Sequence, residues 1–110
     1  MTKVHYAIAA AGLTLSACMG VGNRIDVAKV QQIQNCETTP KQLLEWFGEP
    51  QSRGMQSGYA TMNWYYARAG IGTAESQNLW AYIGKNGKVV DFAWNPPGGN
   101  YNMKDNCKAD

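Results

Sequence analysis

Residues 78–94 read NLWAYIGKNGKVVDFAW, two apolar runs that flank an Asn86-Gly87 dipeptide. The dipeptide predicts a β-hairpin, because both central residues of a type I′ turn need a positive φ. Counting outward from the turn places three apolar pairs on one face: Ile83 with Val90, Ala81 with Phe92, and Leu79 with Trp94. The other face receives Tyr82 with Asp91 and Trp80 with Ala93. A slip of one residue would mix the two sets, so the pattern predicts a single register.

The residues before this hairpin predict a third strand. Residues 59–68 alternate so that Met62, Trp64 and Tyr66 share one face. Residues 69–77 contain glycine and polar side chains, and they predict a loop longer than a tight turn. Residues 95–99, Asn-Pro-Pro-Gly-Gly, end the last strand.

Two helices are expected before the strands. Thr39, Pro40 and Gln42 form a helix start with an N-cap, a proline in the first turn and a capping box. An apolar stripe follows: Leu43, Leu44 and Phe47. Residues 25–34 predict a shorter amphipathic helix, with Asp26 as its N-cap. The predicted fold class is therefore α+β, with two short N-terminal helices packed on a three-stranded antiparallel sheet in two layers.

The start of the chain has the pattern of an export signal. Lys3 supplies a positive charge, and Tyr6 to Leu15 is an apolar run of about ten residues, too short to span a bilayer, which takes roughly 20. The run ends in Leu15-Ser16-Ala17-Cys18, which resembles the lipobox of bacterial lipoproteins. An ordinary signal peptide cut near Ala17, or a chance apolar helix, is the alternative.

A lipobox implies three parts: a signal peptide at 1–17 that is removed, a lipidated Cys18 with a tether at 18–24, and one domain at 25–110. The Cys18 thiol would carry diacylglycerol, and its amino group a fatty acyl chain such as palmitate. Met19, not Asp, follows this cysteine. By resemblance to enterobacterial lipoproteins, this favours the outer membrane, with the domain on the periplasmic face.

The remaining cysteines, Cys36 and Cys107, are an even pair in a chain predicted to be exported. An oxidising compartment favours a structural disulfide between them.

Composition argues against catalysis. The single histidine, His5, lies in the predicted signal peptide, so the mature chain would have none. Histidine-dependent nucleophile sites and His/Cys metal sites are then excluded, and we expect no enzyme activity, no metal and no cofactor. The formal net charge of +2 comes from scattered residues, so no nucleic-acid partner is expected either.

Binding is the remaining class of function, and aromatic residues are its candidates because interfaces concentrate energy in Trp, Tyr and Arg. Tyr65, Trp80 and Tyr82 fall on the sheet face predicted to point away from the helices. Arg68, beside the predicted loop, is a further candidate. The alternative is that the tail from Pro96 to Asp110 folds over that face and buries it. Four other aromatic residues are expected in the core: Phe47, Trp64, Phe92 and Trp94.

Three motifs, in this order, resemble the SmpA/OmlA (BamE-like) family of small outer-membrane lipoproteins. They are TTPKQLLEWFGEP at 38–50, NWYY at 63–66 and KNGKV at 85–89. The resemblance covers Val27 to Trp94 and implies helices on an antiparallel sheet, similar to a repeat of a secreted β-lactamase inhibitor protein. It also implies a non-enzymatic lipoprotein that binds envelope proteins, as the accessory subunit of the outer-membrane β-barrel assembly machinery does.

The chain departs from that family in three places. Residues 35–38, Asn-Cys-Glu-Thr, stand where the family has Gly-Met-Thr or similar, and neither the Cys36/Cys107 pair nor the Pro-Pro-Gly-Gly segment belongs to its pattern. An inhibitor or exclusion lipoprotein of a plasmid, phage or secretion system, or a structural lipoprotein of a secretion or conjugation apparatus, is the alternative function. The sequence predicts neither the partner nor the oligomeric state.

Overall fold

A computed structural model describes residues 19–96, 101–105 and 107 of the 110-residue chain. The predicted signal peptide at 1–17 and Cys18 lie outside the described residues. The elements in chain order are β1 (Met19–Val21), α1 (Val27–Val30), α2 (Pro40–Phe47), β2 (Ser52–Gln56), β3 (Tyr59–Gly70), β4 (Thr73–Ile83) and β5 (Val89–Trp94).

The molecule is built on an antiparallel sheet of five strands. β3 pairs with β4 from Ala60 to Gly70, and β4 pairs with β5. β1 and β2 share the other edge of β3, where β2 pairs with residues 59–63 and β1 with residues 67–69. Between these two stretches the Gln51 side chain accepts a hydrogen bond from the Tyr65 amide at 2.8 Å. The edge of β3 is thus covered by two short strands and the side chain between them.

This architecture corrects the predicted fold class. The prediction of two N-terminal helices on a three-stranded sheet is wrong, because the described residues are mostly antiparallel sheet, with five strands and only short helices. A strand precedes both helices. β2 was missed because all five of its residues are exposed, so no buried face imposes an alternation on its sequence. Ser57 and Gly58, both at positive φ, connect β2 to β3 as a type I′ turn requires.

The β4–β5 hairpin has the predicted register for its first four pairs. Leu79 lies opposite Trp94, and the pairing continues to Tyr82 opposite Asp91. Ile83 then lies opposite Val89 instead of Val90, with a bulge at this point. The cause is the turn: the Gly87 amide bonds to the Gly84 carbonyl, and of the two predicted turn residues only Gly87 has a positive φ. A turn followed by a left-handed glycine forms a bulge rather than a two-residue type I′ loop.

The predicted loop at 69–77 is also wrong. β3 and β4 stay paired as far as Gly70 opposite Thr73, so only Ile71 and Gly72 lie outside the ladder. β5 pairs only with residues 79–83 of β4, so residues 73–78 of the two-stranded ribbon have no strand partner on that edge, and β1 flanks the opposite edge along β3. Both of its faces are therefore largely exposed, which removes the apolar alternation that identifies a strand in a sequence.

The helices begin where the sequence predicts. Asp26 is the N-cap of α1, and its side chain accepts a hydrogen bond from the Ala28 amide. α1 is shorter than predicted, four residues instead of 25–34. Thr39 and Gln42 form the predicted capping box of α2, which ends at Gly48 with φ +79°.

The core lies on the sheet face that carries Met62, Trp64, Leu79 and Ala81. Side chains from the segment before β2 pack into it: Ile25, Val30, Ile33 and Leu43. This side of the sheet is called the inner face below. The Trp64 indole donates a hydrogen bond to the Gly48 carbonyl at 2.9 Å, which joins the end of α2 to β3.

Cys36 and Cys107 form the predicted disulfide, with their Cα atoms 5.4 Å apart. The bridge ties the end of the chain to the loop before α2. That loop in turn lies against β5, because the Cys36 amide donates to the Val89 carbonyl and the Val89 amide to the Thr38 carbonyl. The described part of the C-terminal segment, 101–105 with Cys107, is thereby held beside β5.

Candidate partner-binding surface

The face of the sheet opposite the core, called the outer face, carries three of the four predicted binding residues. Tyr65 belongs to one row of alternating side chains in β3, and Trp80 and Tyr82 belong to the facing row in β4. Alternation puts all three on the side away from Met62, Trp64 and Leu79. The three side chains differ in solvent exposure: Tyr82 is buried, Trp80 is half-buried and Tyr65 is exposed.

The C-terminal segment covers the end of the outer face where Tyr82 lies. The Tyr82 and Tyr101 rings stack with their centroids 6.2 Å apart, and Tyr82 is only 3% exposed. The Tyr101 hydroxyl donates to the Asp91 carboxylate at 2.8 Å, and the Lys104 amide donates to the same carboxylate at 3.0 Å. Tyr82 is therefore part of a packed layer under this segment and is withdrawn from any partner.

The acid–base properties of this layer follow from its packing. Burial is the main cause that raises the pKa of Tyr82, and the negative charge of Asp91 adds to it. The pKa of Tyr101 is raised by burial first, and then by its hydrogen bond to Asp91. Both phenols therefore keep their protons to higher pH than a solvent-exposed tyrosine does.

A second contact holds the same segment at its edge. The Tyr59 hydroxyl donates to Asp105 at 2.7 Å. This hydrogen bond is the main cause that raises the pKa of Tyr59 and lowers the pKa of Asp105. Both groups lie at the surface, so solvent screens their interaction.

The other end of the outer face, towards the ribbon, is open. There the surface forms a groove of about 490 Å³, called the ribbon groove. Its lining residues are Gly20, Val21, Tyr65, Ala67, Arg68, Ala69, Ala74, Glu75 and Ser76. Val21 lies opposite Ala67, and Ala67 opposite Ser76, so small side chains from three strands make the floor. Tyr65 stands at the end nearer the C-terminal segment and is 37% exposed.

Arg68, the fourth predicted residue, borders the groove, but its side chain belongs to the other face of the sheet. Its partner across the ribbon is Glu75, and alternation places both on the inner face. Glu75 accepts a hydrogen bond and forms an ion pair with Arg24, whose guanidinium also lies 5.1 Å from the centre of the Tyr66 ring. The hydrogen bond from Arg24 is the main cause that lowers the pKa of Glu75, and the same bond raises the pKa of Arg24.

Two local features fix the path of residues 22–25, between β1 and α1. The Ile25 amide donates to the Gln77 side chain at 2.7 Å, next to the Arg24–Glu75 pair. Gly22 has φ +73°, and a Cβ there would collide with the Tyr65 carbonyl oxygen and the Gln51 side chain. Glycine alone allows the chain to leave β1 at this close approach and cross to the inner face.

A smaller cavity of about 190 Å³ lies on the inner side, beside the end of α2. Trp46, Phe47 and Trp64 form its aromatic wall, and polar residues such as Asn23 and Glu49 form the rim. The Phe47 and Trp64 rings pack 5.5 Å apart, and Trp64 belongs to the core. This cavity is a gap between residues 23–26, which lead into α1, and the core.

Tyr65 and Arg68 thus both border the ribbon groove, but only the Tyr65 side chain lies on the outer face, with Trp80 diagonally beside it. The structure separates Tyr82 from them. Sequence reasoning missed the floor of the groove, because small residues such as Ala67 and Ala74 give no signal before the pairing of β1 is known. Among the described residues no group of His, Cys, Asp and Glu is arranged to hold a metal ion. Within the same part of the chain, no helix has the length and apolar character needed to cross a membrane.

Comparison with known proteins adds no identification: no protein-family model, no curated protein and no solved structure matches this chain.

Proposed function

We propose that the chain is a non-enzymatic, lipid-anchored lipoprotein of the outer membrane that binds an envelope protein through the ribbon groove. The observation that carries this proposal is the unequal cover of the outer face. The C-terminal segment buries Tyr82 at one end, whereas Tyr65 and the groove at the other end stay open.

The chemistry of the groove suits a protein surface. Its floor of Ala and Ser side chains lets another backbone approach closely, and Tyr65 offers an aromatic ring with a hydroxyl at one end. Aromatic anchors beside small, water-excluding contacts are typical of the parts of an interface that contribute most to affinity.

Anchoring at Cys18 supports this mode of binding. Acyl chains on one residue would hold the domain at the membrane and raise its effective concentration near partners in the same envelope, so a small interface suffices. Subunits of the β-barrel assembly machinery are the first partners to test, because the sequence motifs resemble a family associated with that machinery.

Site-specific photo-crosslinking in living cells tests the proposal. A photoreactive amino acid is placed at Tyr65, and in a matched control at Lys41, an exposed residue of α2. We expect one discrete adduct from position 65, identified by mass spectrometry, and none from position 41. An adduct with a barrel-assembly subunit supports that partner.

Two crosslinking outcomes would contradict the proposed surface. Absence of an adduct at position 65, or the same adducts from both positions, would overturn the ribbon groove as the binding surface. Intact-mass measurement of the mature protein tests the anchor separately: a chain that starts at Cys18 and carries acyl chains is expected, and an unmodified chain rules out the lipoprotein.

A further inference from the structure

The tip of the β3–β4 ribbon is uncharged and carries one fully exposed apolar side chain. Residues 69–74 read Ala-Gly-Ile-Gly-Thr-Ala, with no charged residue among them. Ile71 stands at the turn with its whole surface exposed. Nothing in the fold requires isoleucine there, since its side chain contributes to no core contact among the described residues.

The start of the described chain lies beside this tip. Met19 is paired with Ala69, and β1 runs antiparallel to β3, so β1 begins at the end of the ribbon that carries Gly70 and Ile71. A lipid on Cys18 would therefore leave the protein next to the ribbon tip. β1 is paired to the sheet, so the fold sets the position of Met19, the residue after the anchor, relative to the tip.

The charged residues nearest to the tip along the two strands are Arg68 and Glu75. Arg68 lies opposite Glu75, three residues before Ile71, which corresponds to about 10 Å along a strand. With Arg24 bound to Glu75, this level of the ribbon has two guanidinium groups and one carboxylate, a formal charge of 2 − 1 = +1. This positive charge suits the phosphates of phospholipids. Apolar groups of an interfacial segment enter roughly 5–10 Å into the boundary between headgroups and acyl chains, a depth similar to the distance from Arg68 to the tip.

The opposite end of the molecule differs. The β2–β3 and β4–β5 turns lie there, at the far ends of β3 and β4, and the latter turn contains the exposed Lys85 and Lys88. Lysine ammonium groups are strongly hydrated and favour water over acyl chains. This turn, Lys85-Asn86-Gly87-Lys88, therefore has no apolar side chain to enter the acyl region, although its ammonium groups can approach lipid phosphates.

From this placement we propose that the ribbon tip, with Ile71 at its apex, inserts into the phospholipid headgroup region beside the acylated Cys18 and holds the sheet upright on the membrane. The proposal rests on the proposed function, because it needs the anchor at Cys18. It adds an orientation: the ribbon groove lies close to the membrane and the Lys85 turn points away from it.

Depth-dependent fluorescence quenching tests the proposal on the full acylated protein. Ile71→Cys provides a single thiol for an environment-sensitive fluorophore, because Cys36 and Cys107 are joined and Cys18 would be acylated. Lys85→Cys is the matched control at the other turn. Each protein is placed in vesicles of phosphatidylethanolamine and phosphatidylglycerol, with or without lipids that carry a nitroxide quencher near the headgroup.

We expect a blue shift and loss of emission for the label at position 71, and neither for the label at position 85. Equal access of aqueous iodide to both labels would overturn the insertion of the tip. Intact mass, measured on the same samples, separates the two proposals. Acylated protein with an unquenched label at position 71 overturns this inference alone, whereas protein without acyl chains overturns the lipoprotein as well.

Discussion

Asp91 is the residue that fastens the C-terminal segment to the outer face. It is 7% exposed and accepts hydrogen bonds from the Tyr101 hydroxyl and the Lys104 amide. Hydrogen bonds to an ionised acceptor are stronger than neutral ones, so we expect Asp91→Ala to lower the free energy of unfolding by about 2 kcal/mol. Urea denaturation measures this loss.

The same change at the exposed Asp105 serves as the control, and we expect a much smaller effect there. Equal losses at the two positions would mean that Asp91 has no special role. Increased solvent exposure of the Tyr82 ring, which the segment covers, would show that the segment has left its place.

Tyr101 makes the stability sensitive to alkaline pH. The folded protein raises its pKa, so the unfolded chain, in which the pKa is about 10, loses the phenolic proton first as the pH rises. The contribution of Tyr101 is therefore complete below about pH 10 and is lost as the pH rises through the raised pKa. Tyr82 has a shift in the same direction.

We expect Tyr101→Phe to be less stable than the parent at pH 8, because it lacks the hydrogen bond to Asp91, and to lose less stability than the parent between pH 8 and pH 11. Urea midpoints at several pH values measure the difference. If the urea midpoints of the two proteins fell in parallel as the pH rises, the alkaline loss of stability would not come from Tyr101.

At the scale of elements, α2 docks mainly through Leu43, the one buried residue of the helix. Leu43 is fully buried in the core, whereas its neighbour Leu44 is only partly buried. Since removal of a buried leucine leaves a cavity as well as losing transfer energy, Leu43→Ala is expected to cost about 3 kcal/mol. Leu44→Ala is the matched control, with a smaller loss in the same urea experiment. A larger loss at Leu44 would show that α2 docks by another face.

Elements with local signals could be predicted from the sequence, and elements defined by distant pairing could not. The capping box of α2 and the register of Leu79 with Trp94 depend on nearby residues, and the structure confirms both. β1 and β2 are short edge strands whose positions follow from pairing with β3, and little of their surface is buried. Period-2 patterns arise only where one face meets a core, so these strands left no pattern.

The candidate site shows the same division. Alternation along β3 and β4 correctly placed Tyr65, Trp80 and Tyr82 on one face. It could not tell which of them would stay open, because the cover comes from the C-terminal segment through contacts such as Tyr101 with Asp91, far from the strands in sequence. Nor could it find the ribbon groove, which forms when β1 pairs beside Ala67.

The whole molecule combines two kinds of restraint on its outer face. Side-chain hydrogen bonds to Asp91 hold the C-terminal segment against Tyr82, and the Cys36–Cys107 bridge closes a loop across a sequence separation of 71 residues. The bridge spans nearly all of the fold, so it limits the unfolded chain as well as positioning the segment.

Replacing both bridging residues tests how these restraints work together. For a loop of this length, the chain-entropy treatment predicts that Cys36→Ser combined with Cys107→Ser lowers the free energy of unfolding by on the order of 4 kcal/mol. This is a large share of the roughly 5–15 kcal/mol that usually stabilises a domain. Urea denaturation measures the loss, with Asp91→Ala as the reference for the segment alone. If the double variant lost no more than Asp91→Ala, the bridge would act only on the segment. The double cysteine variant can also be combined with Asp91→Ala. If the combined loss in free energy of unfolding were smaller than the sum of the two separate losses, the bridge and Asp91 would hold the same contact, since the effects of changes that share one contact are not additive.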